Sequence, residues 1–368
     1  MKETAGIAAI IASATAPEFA KGQAGKSRIS LEQAWDVHRK CLIIDGHQDT
    51  SVRRFARNED PKSWLKRDTS YHTDVPRMTE GGQQYVGLFL IEDASATDLW
   101  TLTEFILEQI DSHPDIFSLV LSSEDAVRAG KEGKIGVLLE IEGPAMWLQG
   151  NINILRLLYR LGLRSQHITH GEGGSEPHFL QGTRSSYILN TPESRESQRK
   201  NFVGLTPFGK EVVKVQNELG IIVDTAHSND KTFYDVMELT TQPPIMSHTG
   251  VFSLCNHDRC MTDDQIRALA AKGGVMGIVV LPGFIDLDPE KATIDRIVDH
   301  ILYVRDLVGI DTVGFGSDYD GFTDPPIISD VSQLVLLTQA MLARGLTEDE
   351  IQKFWGGNFL RVFRQTID

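Results

Sequence analysis

A chain of 368 residues with 41% hydrophobic and 24% charged side chains can bury a large core, and fits one α/β barrel with insertions as readily as two domains. Its formal charge of −15 excludes the basic footprint that nucleic acid or an anionic membrane surface requires. Three cysteines, Cys41, Cys255 and Cys260, are too few for a disulfide framework. The spacing Cys255-x-His257-x-x-Cys260 lacks the second ligand pair of a structural zinc site and reads as loop. A Cys255–Cys260 disulfide is the alternative if the protein is exported.

In chain order, residues 4–14 form an apolar run of small residues, too short to span a bilayer, and no other stretch is apolar enough to be an integral membrane segment. The run resembles the hydrophobic region of a bacterial twin-arginine export signal, although no Arg pair precedes it. Residues 1–25 are therefore expected to be an export-signal remnant or a tail, and residues 26–368 a single barrel domain. The location is periplasmic if an upstream start supplies the missing pair, and cytoplasmic if Met1 is the true start.

Ser30 caps an expected helix over residues 31–39. Next, Leu42-Ile43-Ile44-Asp45-Gly46-His47-Gln48-Asp49 reads as a buried parallel strand and its C-terminal mouth. Residues 53–77 are charged and irregular and read as a long loop. Further strands are expected at 85–91, 135–143, 165–170, 221–227, 244–248, 275–280 and 312–318. Helices are expected at 101–113, 155–162, 206–219, 231–239, from Thr262, at 294–308 and over much of 331–363. Eight apolar strands alternating with helices predict an α/β fold of the (β/α)8 TIM barrel type. Six of the strands end in His47 with Asp49, Glu142, His170, His227, His248 and Asp318. Barrel active sites lie on the C-terminal face, so these residues converge.

His47, Asp49, Glu142, His227 and His248 are imidazoles and carboxylates, the donors that zinc accepts. Five are too many for one catalytic ion. Two ions about 3.5–4 Å apart that share a carboxylate use them all and hold a bridging hydroxide, and Glu142 stands between the two groups as the bridge. Attack on a carbonyl also needs an oxyanion donor and an acid for the leaving amine, tasks for which His170 and Asp318 are placed. Asp45 shares the face of His47 one position deeper and is expected to orient a ligand, as is Glu140. The odd offset of His167 from His170 puts it on the other face of its strand. His38, His72, His113, His178, His257 and His300 have no convergent partners and read as surface or structural.

The motifs Asp45-Gly46-His47-Gln48-Asp49, Ile141-Glu142-Gly143, Ile168-Thr169-His170, Gly204-Leu205-Thr206-Pro207-Phe208-Gly209, Val223-Asp224-Thr225-Ala226-His227, Ser247-His248, Gly314-Phe315-Gly316-Ser317-Asp318-Tyr319-Asp320-Gly321 and Gly356-Gly357-Asn358-Phe359 occur in order over nearly the whole chain. Together they resemble the membrane (renal) dipeptidase family, zinc peptidases of the M19 type within the amidohydrolase superfamily. The resemblance implies two zinc ions, one on His47 and Asp49 and one on His227 and His248, bridged by Glu142. It implies that His170 contacts the substrate carbonyl and that Asp318, rather than Asp320, relays the proton. It also implies that Arg259 binds the terminal carboxylate of a small dipeptide and that the protein is a homodimer. Guanidinium matches carboxylate bidentately, whereas the plain alternative for Arg259 is a surface residue in a polar loop. Departures from the family pattern are Gln48, Pro144 and the stretch Gly171–Pro177; none removes a ligand, and the last bears on specificity. The rival readings are another amidohydrolase reaction, on an N-acyl amino acid, lactone or β-lactam, and a non-catalytic exported binding protein. The latter predicts an eroded ligand set, and here every ligand is present.

Overall fold

The computed structural model describes residues 29–56, 61–82, 84–90, 96–175, 178–185 and 199–368. The expected export segment and residue 91 of the second expected strand lie outside the described residues, as do residues 176–177 at the end of the divergent stretch. Nine strands are present among the described residues: β1 Ile43–Gln48, β2 Tyr85–Leu90, β3 Phe117–Leu119, β4 Ile135–Ile141, β5 Leu163–His167, β6 Ile222–Asp224, β7 Ile245–Thr249, β8 Val275–Ile278 and β9 Val313–Phe315. All their pairings are parallel, in the order β2-β1-β9-β8-β7-β6-β5-β4, and a β2–β4 pairing closes the ring of eight. This is the (β/α)8 TIM barrel, with helices as the outer layer.

The ninth strand is an addition to the expected eight. β3 pairs with Ile135–Val137 at the start of β4, while β5 takes Leu139–Ile141 at its end. Three residues are too short for a periodic signal. The segment 53–77 also departs from the expected loop, because helix Thr50–Ala56 enters it, Pro61–Leu65 forms a 3-10 turn and helix Val75–Gly81 leaves it. Three of its charged residues, Arg54, Asp74 and Arg77, are buried instead of facing water. Arg54 is buried with its guanidinium 4.0 Å from the Tyr71 ring, and buried Arg77 donates to Asp74 at 2.7 Å. Asp74 in turn caps the helix by accepting from the Arg77 amide.

Helix ends follow the cap chemistry. Ser30 with Gln33 and Thr262 with Gln265 form reciprocal capping boxes, and Gly220 ends helix Pro207–Leu219 at φ 76°, a conformation that favours glycine. The C-terminal helix Asn358–Thr366 closes the N-terminal end of the barrel. Its Phe359, Val362 and Phe363 pack with Ile44, Val86, Leu138, Ile222, Ile245 and Val275, one apolar residue from each of six strands. A Cβ on Gly46 or Gly314 would stand 2.7 Å from the Phe359 ring, so both strands need glycine where that ring inserts.

Above this floor the barrel strands change character. On β4 and one residue past its end the alternate positions Leu138, Glu140 and Glu142 run from hydrocarbon to carboxylate, and on β6 Ile222 gives way to Asp224. The mouth is where the chemistry is concentrated.

Candidate metal centre

His47 is on β1, and Asp49, Glu142, His170, His227 and Asp318 follow their strands by one to three residues. His248 is on β7, and Arg259 lies in the connection from β7 to helix Asp263–Ala271. His227 and Asp318 have φ of 62° and 60°. Left-handed backbone costs a non-glycine residue of order 1–2 kcal/mol, and here it accompanies side chains gathered at one point.

The centre of that point is the Glu142 carboxylate. Its Oε1 lies 2.9 Å from His227 Nε2 and 4.0 Å from His248 Nε2, and its Oε2 lies 3.8 Å from His47 Nε2 and 3.7 Å from His170 Nε2. Asp49 Oδ2 is 3.4 Å from His47 Nε2. Four sets of ligand atoms lie within 4.8 Å of one another: His47, Asp49 and Glu142; Glu142, His170 and His227; His47, His248 and Asp318; and, among fully buried groups, His47, Glu140 and His167. The structure thus gathers the five expected ligands together with His170 and Asp318. Arg259 is 7% exposed, and its Nη2 stands 2.7 Å from His248 Nε2, so it borders the same point rather than a polar surface.

Buried Glu142 Oε1 and Asp49 Oδ2 have no aligned hydrogen-bond donor. Such atoms are costly to bury unless a cation takes the place of the donor, so this donor set fits a metal. The electrostatics agree for Glu142, His227 and His248, whereas at His47 burial pushes down but the Glu142 and Asp49 charges outweigh it and hold the imidazole well above its ordinary range. Burial pushes Glu142 up, but His170, His227 and His47 more than reverse this and hold it well below the usual carboxylate range. Burial and then the Arg259 guanidinium push His227 well down; burial, then His47 and Arg259, do the same to His248. Ionised carboxylate and neutral imidazole are the metal-binding forms. Burial and the adjacent Asp49 charge push the Asp318 carboxyl well above its ordinary range.

Other residues fall differently from the sequence expectation. Asp45 does not share the face of His47. The β1–β2 register shifts between Asp45 and Gln48, which breaks the two-residue alternation. Asp45 instead accepts from Ser317 N at 2.7 Å, Ser317 Oγ at 2.6 Å and Tyr85 OH at 2.9 Å, tying β1 to β2 and to the segment after β9. Burial raises its pKa to about 6 against these bonds. Asp320 accepts from Thr50 Oγ1 and the His72 amide, and so braces the loops around Asp318. Cys255 and Cys260 are buried and are not joined by a disulfide, and each Sγ is directed at a backbone carbonyl, Gly283 O and Phe284 O.

His167 overturns its expected placement. It is fully buried, with Nδ1 3.2 Å from Glu142 Oε1 and Nε2 2.9 Å from Asp224 Oδ2. β5 ends at His167, so strand alternation does not extend to His170, and both imidazoles reach Glu142. The signal was Ser165 and His167 at alternate positions of an otherwise enclosed strand, beside Glu140 and Glu142 on its neighbour. Glu140 accepts from His47 Nδ1 at 2.8 Å and so fixes the orientation of that imidazole.

A parallel (β/α)8 barrel with carboxylates and imidazoles gathered at its strand mouths defines the class of metal-dependent hydrolases. Within that class the comparisons are specific. Residues 31–368 match the model of the membrane dipeptidase family, peptidase family M19. The chain is 27% identical over 342 residues to dipeptidase tcpJ of Claviceps purpurea (strain 20.1), covering 88% of this chain and 77% of that protein. The solved structure of dipeptidase AC, an M19 metallopeptidase, superposes with a TM-score of 0.80 at 25% identity, covering 89% of this chain and 98% of that one. A metallopeptidase from Rhodobacter sphaeroides, liganded with a phosphinate mimic of the dipeptide L-Ala-D-Ala, superposes with a TM-score of 0.78 at 24% identity, covering 89% of this chain and 99% of that one. The chain belongs to the membrane dipeptidase family, and is a metal-dependent dipeptidase acting on small peptides. Among the described residues no helix is long and apolar enough to cross a membrane.

Proposed function

We propose that this dipeptidase works with two zinc ions, one held by His47 and Asp49, the other by His227 and His248, with Glu142 shared between them. The observation that carries this reading is the division of the Glu142 carboxylate, whose Oε2 faces His47 while Oε1 faces His227 and His248. Bound there, the ions would polarise the peptide carbonyl and bring the pKa of water from about 15.7 towards 7. The protein's own residues do the rest. His170, the exposed imidazole at the mouth, donates to the carbonyl oxygen as charge develops on it. Asp318, whose carboxyl burial and the Asp49 charge push up, takes the proton of the attacking water and passes it to the leaving amine. Arg259 pairs with the free carboxylate of the substrate, which limits substrates to those that end one residue past the scissile bond.

The test is a panel of L,L-, L,D- and D,D-dipeptides beside N-acyl amino acids, run with wild type and Arg259→Ala. The Rhodobacter relative's L-Ala-D-Ala mimic is the reason to include the L,D class. Loss of a charge-assisted pair worth about 1.5–3 kcal/mol lowers kcat/KM for dipeptides by about 10- to 150-fold. An unchanged kcat/KM would remove Arg259 from the substrate site. Homodimerisation and export accompany this proposal on the strength of the family likeness and of residues 4–14, and are open to sedimentation and cell fractionation.

A further inference from the structure

Directly beneath the metal centre lies a layer of fully buried polar side chains that the reaction does not use: Glu140 on β4, Ser165 and His167 on β5 and Asp224 on β6. The β4–β5 register sets Glu140 opposite Ser165. Glu140 divides its carboxylate: Oε2 accepts from His47 Nδ1 at 2.8 Å, while Oε1 accepts from Ser165 Oγ at 2.9 Å and lies 3.3 Å from His167 Nε2. His167 continues the chain, with Nε2 also 2.9 Å from Asp224 Oδ2 and Nδ1 3.2 Å from Glu142 Oε1. Asp224 is anchored in its turn, because its Oδ1 accepts from the amides of Ala226 and Ser247, next to His227 and His248 in sequence.

Each contact has a defined effect. An imidazole that gives its Nδ1 proton to a carboxylate presents the Nε2 lone pair, and His47 Nε2 is the nitrogen that faces Asp49 and Glu142. His167 ties the carboxylate that fixes His47 to the one that both halves of the centre share. We infer that Glu140 and His167 form a positioning couple that mechanically links the two half-sites, so that the centre takes up its metal ions as a unit rather than as two independent ligand pairs. The composition of the layer supports this. Buried carboxylates and a buried imidazole are poor sources of stability compared with packed hydrocarbon, so their presence beneath a metal centre points to orientation. The inference rests on the dinuclear reading above.

The experiment loads wild type, Glu140→Gln, His167→Gln and the double variant with zinc under chelator competition, and separately with cobalt(II) for its visible spectrum. Wild type is expected to load two ions in one cooperative step. Each single variant should lose about 10- to 100-fold in metal affinity, lose the cooperativity and shift the cobalt(II) bands, as expected when the partner of a metal-binding imidazole is removed. The double variant should fall no further than the worse single, because the pair acts as one unit. Glu140→Asp, which keeps the charge but withdraws it from His47, serves in place of Glu140→Gln if that variant does not fold, and should show the same affinity loss. Wild-type affinity and spectra in the single variants, or two losses that simply multiply in the double, would overturn the inference while leaving the dinuclear centre standing. A wild type that binds fewer than two ions would instead overturn the reading on which it rests.

Discussion

At the floor of the barrel Ile44, Leu138, Ile222 and Ile245 meet Phe359 and Phe363 in hydrocarbon contact. Two residues further along three of the same strands the inward positions are Glu140, Asp224 and Ser247, equally buried and joined by hydrogen bonds and ion pairs. Both regions are buried, yet they carry opposite duties. Packed hydrocarbon supplies stability with no direction to it, whereas polar groups in the same low-dielectric interior cost free energy unless each is aimed at a partner. The floor therefore holds the barrel closed and the layer above it spends stability on geometry. Substitutions in the two regions should separate cleanly, with stability changing at the floor and metal binding changing above it.

The largest effect on stability is expected from Phe359→Ala. Removing a fully buried ring that fills the space over Gly46 and Gly314 should cost about 3–5 kcal/mol in urea unfolding. Metal content and turnover per folded molecule should stay at wild-type values. A loss of metal from this variant would break the division between the two regions.

A somewhat smaller effect belongs to the helical shell beside the floor. His38 is buried between Thr338 Oγ1 at 2.7 Å and Gly81 O at 2.6 Å and packs edge-on against Trp355. Burial lowers its pKa from 6.5 to about 4. Because the unfolded chain then takes up a proton more readily than the folded one, its contribution is whole above pH 6.5 and is lost as the pH falls towards 4. The span corresponds to about 3 kcal/mol. The difference in unfolding free energy between metal-free wild type and His38→Gln should narrow by about that amount between pH 7.5 and pH 4. A difference independent of pH would mean that His38 is not held neutral by burial.

The same contrast explains what could be read from the chain beforehand. Apolar strands separated by capped helices disclose the barrel, and His47, Glu142, His227 and His248 stand out because each closes such a strand. His167, Asp224 and the turning away of Asp45 do not stand out, since they depend on register. A bulge in β1 redirects Asp45, and only the alignment of β4 with β5 brings His167 onto Glu142. The segment 53–77 misleads for a related reason, because buried Arg54, Asp74 and Arg77 look like solvated charge until their partners are known. Arg259 is legible only through the family motif, as nothing in a polar loop announces that its guanidinium reaches His248.

The central claim is that one carboxylate joins two ion sites, and zinc titration of wild type and Glu142→Gln, with circular dichroism to confirm folding, tests it most directly. Wild type should bind two zinc ions per chain, and Glu142→Gln should stay folded, retain one ion or none and lose turnover. Two ions held at wild-type affinity by Glu142→Gln, or fewer than two held by wild type, would contradict the claim.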